Sequence, residues 1–346
     1  MKNNIVLPAE WALQSAIQLT WPHEDTDWAY MLDEVETCFI NLAREIAARQ
    51  HLLIVAPDIQ AVYERIKDVV NMENVSLVEC LTNDTWARDH GGITVHYNSN
   101  PVIYDFGFNG WGLKFAANHD NLITHKIYKY QIFNAAYQNR RNFIIEGGSI
   151  ESDGQGTLLT TSECLLSPNR NPLLSKEEIE EYLKEAFGLS QVLWLDYGYL
   201  AGDDTDSHID TLARLAPGDT ILYVRCDDIN DEHYSELKQM EEQLKTFRTL
   251  DGRPYRLLPL PMAAPAYDQD GYRLPATYAN FLIMNDAVLY PTYGVPTFDE
   301  EARRVIAEAF PEREVVGVDC QALIKQHGSL HCVTMQYPIG VCERKN

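Results

Sequence analysis

No apolar stretch in this sequence approaches the roughly 20 residues that a membrane-spanning helix needs. The start, MKNNIVLPAEWALQS, lacks a sustained apolar segment followed by a small-residue cleavage site, so no signal peptide is expected and the cytoplasm is the expected compartment. The cysteines are seven, an odd number, and no C-x-x-C occurs. Reduced thiols fit that pattern better than a disulfide framework or a zinc site. Basic residues are scarce: 28 Lys and Arg stand against 51 Asp and Glu, for a formal charge of −23. Phosphate binding needs a basic footprint, so nucleic acid is excluded as the expected partner. The acidic excess serves solubility, and it also draws in cationic substrates. Low-complexity segments and obvious linkers are missing too, and with 45% hydrophobic residues the chain is globular throughout.

A coarse unit recurs along the chain: an amphipathic helix, a short apolar strand, a polar loop, then a hairpin of alternating residues. Instances span 75–97, 141–161, 191–224, 255–293 and 313–338, with turns at Asp153-Gly154, Pro217-Gly218-Asp219 and Asn285-Asp286. The last lacks its second hairpin strand, and AIQLTWP (16–22) could supply it and close a ring of five. An ordinary α/β protein with chance recurrences is the alternative. Helices are expected over 28–49, 58–70, 119–137, 175–187, 231–249 and 298–309, with Ser175 and Glu178 as a capping box.

The polar loops hold the chemistry. WARDHGG (86–92) carries Trp86, Arg88 and Asp89; a plain Asp-Gly turn is the simpler reading. In IIEGGSIESDG (144–154), Glu146 ends an apolar strand, where a carboxylate is costly without a partner. DDTDSHIDTLAR (203–214) sets His208 and Asp210 two apart, on one face if the segment is a strand. That pair suits a metal, an acid/base beside a substrate-binding carboxylate, or a structural histidine; no second His cluster of ligand spacing stands out. HGSLHC (327–332) offers His331 and Cys332, the latter either packing or a thiol exposed at a strand start after a flexible Gly328-Ser329 turn. Together the loops supply one thiol, an imidazole and three carboxylates. Such a site repels anions and suits a planar guanidinium cation with an electrophilic carbon.

TWARDHGG, EGGSIESDGQGTLLTTSECLLSPNRNP, DDTDSHID and HCVTMQYP, in that order, resemble the agmatine deiminase family, the bacterial-type peptidylarginine deiminase-like group. LPAEWALQSAIQLTWP and DFGFNGWGLK (105–114) are similar to that family as well, so the likeness covers almost the whole chain. It implies an α/β fold, a five-bladed pseudo-symmetric α/β propeller (pentein) with a central active site, in one catalytic domain over 1–346. It implies iminohydrolase chemistry on a small cationic guanidinium substrate, with no metal and no cofactor, and a homodimer. By motif, Cys332 corresponds to the nucleophile, His208 to the general acid/base and Glu146 to a further catalytic acid. Asp89 and Asp210 correspond to the guanidinium-binding carboxylates, and Trp86, Trp111 and Lys114 are candidates for the pocket wall. Agmatine is the expected substrate; free or peptidyl arginine, amidino transfer and a non-catalytic binding protein are the alternatives. Three departures from the family pattern lie beside the site: one glycine (Gly328) before His331-Cys332, Ser207 where Gly is expected, and His90-Gly91-Gly92 after Asp89.

Overall fold

The computed structural model describes residues 4–342. Its strands form five small sheets, of three or four strands each. The chain divides into two compact units, one holding Ala12–Gly147 with the segment from Cys332, the other Val6–Trp11 with Gly148–His331.

In the first unit, Thr334–Pro338 pairs antiparallel with Gln14–Thr20, which continues parallel to His51–Ala56 and then to Val75–Glu79. The expectation that residues 16–22 accept the last strand therefore holds: Thr334 lies opposite Leu19 and Gln336 opposite Ile17. Its other sheet has a hairpin, Ile93–Tyr97 with Asn100–Gly107, and a parallel strand, Ala136–Ile144. The central strand His51–Ala56 is a continuous apolar run, as a strand covered on both faces requires. Helix Leu32–Ala47 joins the first two parallel strands and buries Val35, Phe39, Leu42 and Ile46, one stripe at helical spacing.

The second unit repeats one plan three times. A hairpin is followed by a helix and then by a strand parallel to the hairpin's second strand. The hairpins are Ile150–Ser152/Thr157–Thr161, Ala213–Ala216/Thr220–Arg225 and Leu282–Ile283/Ala287–Thr292. Their parallel strands are Gln191–Leu195, Arg256–Pro261 and Glu314–Asp319. The crossing helices are Lys176–Phe187, Tyr234–Leu244 and Pro296–Ala309. The capping box of Ser175 and Glu178 is present, and Gly188 ends that helix at φ 70°. The three hairpin turns fall where the sequence places them. Gly154 and Gly218 take φ of +72° and +73°, which a glycine adopts without steric cost.

Two expectations need correction. The helix expected over 119–137 covers only Ile123–Lys129 after a short turn at Asp120–Leu122, because Gln131 takes a left-handed φ of 57° and the chain enters a strand at Ala136. The sequence units also straddle sheets: each polar loop links the parallel strand of one sheet to the antiparallel pair of the next. The four polar loops are therefore equivalent points of the plan, which is why their polar residues recur in step.

Candidate active site

In the first unit the loop after Val75–Glu79 makes a one-turn helix, Ala87–His90, which buries Arg88 and Asp89. Asp89 is held by the indole of Trp111, whose Nε1 donates to Oδ2 at 2.9 Å. Trp111 sits in a left-handed turn, Gly110–Leu113, at φ 55°. That conformation costs a non-glycine residue roughly 1–2 kcal/mol. It persists because the turn is over-determined. Gly110 at φ +69° passes so close to Phe115 that an added Cβ would lie 2.1 Å from its carbonyl oxygen. The indole also packs edge-on against Phe108 and Phe115, at 5.0 and 5.5 Å between centroids. Strain of this kind gathers where a side chain must be aimed.

Trp86 stands 6.4 Å from Trp111 and 5.7 Å from Trp28, centroid to centroid. Behind this row lies Asp84, whose carboxylate accepts from Trp28 Nε1 at 2.9 Å and Trp86 Nε1 at 3.1 Å. Burial pushes the Asp84 carboxyl up to about 6, against the pull of the Thr85 amide and the two indoles. Neighbouring Asp120 accepts from the Asn83 and Asp84 amides, and burial raises it to about 8. His90 is buried beside Phe108, and its lack of solvent holds it neutral, down to about 3.

The nucleophile candidate is tied to the same loop: the Arg88 amide donates to the Cys332 carbonyl at 3.1 Å. Cys332 is buried, 6% exposed, against an expectation of partial exposure, and the regular strand begins two residues later at Thr334. Glu146 follows Ala136–Ile144 and is fully buried. A side chain on the next residue, Gly147, would put its Cβ 2.2 Å from the Arg88 carbonyl oxygen, so the two loops touch through bare backbone. Lys114 is exposed.

In the second unit His208 and Asp210 are both buried, but not on a strand. His208 caps a one-turn helix, Ile209–Leu212, that contains Asp210, so the alternation argument does not apply. The cause lies just upstream. Asp206 and Ser207 are both left-handed, at φ 66° and 58°, and turn the chain out of extended geometry. Ser207 occupies the position where glycine was expected, and its φ explains that expectation. Its strain is braced by its amide on Asp203 (2.7 Å), its hydroxyl on Glu163 (3.0 Å) and its carbonyl under Thr161 Oγ1 (2.8 Å). Arg170 fixes Asp206 at 2.6 Å.

Asp210 Oδ2 lies 2.7 Å from Nδ1 of His331, and Nε2 of that ring lies 2.8 Å from Glu10 Oε2. Burial alone would raise the Asp210 carboxyl, but the His331 hydrogen bond and the charges of His331, His208 and Arg214 hold it below the usual range. Arg214, fully buried, donates to Glu151 (2.5 Å) and Glu10 (2.7 Å), and stacks on the Phe281 ring at 4.5 Å. Its Nη1 donates to the carbonyls of Ala279 and Phe281. Glu10, Glu151 and His331 have the spacing of a metal triad, but the cation the chain itself supplies there is Arg214. The Gly328-Ser329 segment, read as a flexible turn, is pinned: Ser329 is buried, with its hydroxyl 2.9 Å from Tyr293 Oη.

The structure thus gathers Trp86, Asp89, Trp111 and the Cys332 backbone in one unit, and His208 and Asp210 in the other. Sequence reasoning missed Glu10, Asp84 and Arg214. Only Arg214 had a visible signal, a lone charge inside the apolar run Leu212–Ala216.

Five small sheets, four of them built as hairpin, helix and parallel strand, carry carboxylate, imidazole and thiol side chains in the loops between them, the α/β plan shared with hydrolases that act on guanidinium C–N bonds. The family described as Porphyromonas-type peptidyl-arginine deiminase matches residues 6–338, and this chain belongs to it. Agmatine deiminase of Pseudomonas putida is 33% identical over 97% of this chain and 96% of its own. Among solved structures, a Porphyromonas gingivalis protein provisionally named an arginine deiminase shares 54% identity, covering 98% of this chain and 100% of its own, at a TM-score of 0.93. A substrate-bound Cys-to-Ser variant of Campylobacter jejuni agmatine deiminase shares 39%, covering 97% and 96%, at 0.91. Among the described residues no helix is long and apolar enough to cross a membrane.

Proposed function

We propose that this protein hydrolyses agmatine to N-carbamoylputrescine and ammonia. The observation that carries the reading is the likeness, over nearly the whole chain, to an agmatine deiminase captured with its substrate. The chemistry agrees. Agmatine is a dication, and a chain of net charge −23 with buried carboxylates in its loops attracts one. The product is a carbamoylated diamine, one C–N cleavage from putrescine, so the reaction fits polyamine synthesis.

The roles follow from residue chemistry and the motif correspondence. Asp89 and Asp210 accept paired N–H groups of the flat guanidinium and offset its desolvation. Trp86 and Trp111 line the site beside Asp89. The Cys332 thiolate attacks the guanidinium carbon, and the tetrahedral adduct collapses as His208 gives a proton to the departing ammonia. Glu146 assists as a further acid. An amidino-cysteine remains. Water, giving its proton to His208, adds to that carbon; the C–S bond breaks, the ureido product leaves and the thiolate is restored. The site uses no metal and no organic cofactor. The cytoplasm, where thiols stay reduced, is the compartment that suits a chain with seven cysteines, and a homodimer is the expected assembly.

The test is to incubate the purified protein with agmatine, free arginine and a blocked arginine peptide, and to measure ammonia and ureido product. Turnover of agmatine at a kcat/KM at least a hundredfold above the others supports the reading. Preference for free arginine would replace it with the activity named for the Porphyromonas gingivalis neighbour. No product from any of the three would leave a guanidine-binding protein.

A further inference from the structure

We propose that His331, the residue before the nucleophile, is a positioning residue whose ring holds the Asp210 carboxylate in place as a guanidinium acceptor. This rests on the reading of Asp210 as a substrate-binding carboxylate. Two ring contacts carry it. Nδ1 meets Asp210 Oδ2 at 2.7 Å, and because that carboxylate is ionised, Nδ1 carries the proton and donates. Nε2 is the far anchor: it lies 2.8 Å from Glu10 Oε2 and 3.1 Å from Nη2 of Arg214.

That anchor cannot drift. Glu10 Oε1 accepts from the Ile283 amide at 2.9 Å, and Glu10 Oε2 from Arg214. Glu151, the second carboxylate on Arg214, also accepts from the Leu215 amide at 3.0 Å. The backbone of His331 is fixed as well. Its amide donates to Asn280 Oδ1 at 2.9 Å, and Asn280 Nδ2 donates to the Asp210 carbonyl at 3.3 Å. One amide side chain therefore ties together the two residues that the imidazole also joins. The charged groups facing the ring are Asp210, Glu10 and Arg214, with Glu151 behind; His208 adds its charge at Asp210. Orienting a substrate-binding carboxylate through a second, rigidly held side chain is how a site keeps its bidentate geometry before substrate arrives.

The test separates the two ring nitrogens. An asparagine amide nitrogen overlays Nδ1 of histidine, and a glutamine amide nitrogen overlays Nε2. His331→Asn keeps the donor to Asp210; His331→Gln keeps the Glu10 side and loses that donor. Agmatine KM is expected to stay within about threefold of wild type in His331→Asn and to rise at least tenfold in His331→Gln, with kcat changing less than KM in both. Dissociation constants for agmatine, measured calorimetrically in the Cys332→Ser background, should keep the same order. Equal loss in the two variants, or a fall in kcat at unchanged KM, overturns the proposal. If His331→Gln does not fold, Asn280→Ala replaces it, and an unchanged KM there overturns the proposal equally. Failure of the wild type to turn over agmatine would strike the function reading alone, because the order of affinities is read without catalysis.

Discussion

Trp111 Nε1 donates to Oδ2 of Asp89 across 2.9 Å, from a residue held at φ 55°. A strained backbone and a buried charge-assisted hydrogen bond thus serve one contact. Hydrogen bonds to charged groups contribute roughly 1.5–3 kcal/mol, and the Asp89 carboxylate loses one when the indole N–H is removed. Trp111→Phe keeps the ring packing on Phe108 and Phe115 and deletes only the donor. Steady-state kinetics should show agmatine KM rising about tenfold, with a smaller fall in kcat.

Asp84 gives a pH readout. Its carboxyl is raised above the ordinary aspartate value to about 6, chiefly by burial. The group is therefore protonated in the folded protein below that pH and ionised above it, while in the unfolded chain it ionises near 4. The folded state holds the extra proton between those values, so this group's contribution to stability falls as pH rises from about 4 to 6. Trp28 and Trp86 both donate to this carboxylate, so their emission should titrate with a midpoint near 6. In Asp84→Asn that transition should vanish from a fluorescence titration.

Ser207 tests the strain before His208. At φ 58° a glycine is relaxed, a serine is strained and a β-branched residue is worse. Ser207→Gly loses the hydroxyl contact to Glu163 but relieves the backbone, so its melting temperature should lie within about two degrees of wild type. Ser207→Val should melt several degrees lower, as differential scanning calorimetry will show.

Arg214 is a buried cation between two buried carboxylates. Burial works against its charge, and Glu151, Glu10 and Asp210 more than restore it. Breaking one side of such a group costs about 3–5 kcal/mol, because the remaining charges stay buried and uncompensated. Arg214→Met should lose that much in denaturant unfolding. Adding Glu10→Gln and Glu151→Gln to it should recover a large part, since the two carboxylates that Arg214 pairs with then carry no charge.

Much of this was legible in the sequence. Helix Leu32–Ala47, the capping box at Ser175 and the three hairpin turns are local signals, and local structure obeyed them. The pairing of residues 16–20 with the last strand was readable because the fifth repeat lacked a partner. What stayed hidden were contacts made by residues distant in sequence. Glu10 reads as a surface acid in LPAEW; only the fold brings it to His331 and Arg214. Trp111 reads as part of a glycine-rich loop, and no propensity foretells a left-handed turn for tryptophan. The His208-x-Asp210 pair misled by its alternation, because two left-handed residues before it send the chain into a helical turn.

The pairing of Thr334–Pro338 with Gln14–Thr20 also has a consequence for assembly of the chain. Tyr337 Oη reaches Gln18 Oε1, 319 residues away in sequence. Closing a loop of that length costs about 5 kcal/mol of chain entropy, and nothing local repays it early. On that ground the strand beside Cys332 is expected to dock late. Until it does, Gln14–Thr20 keeps an open edge, the place where another nascent chain can add a strand. The step that seats the strand after Cys332 is thus the one that closes this edge against aggregation.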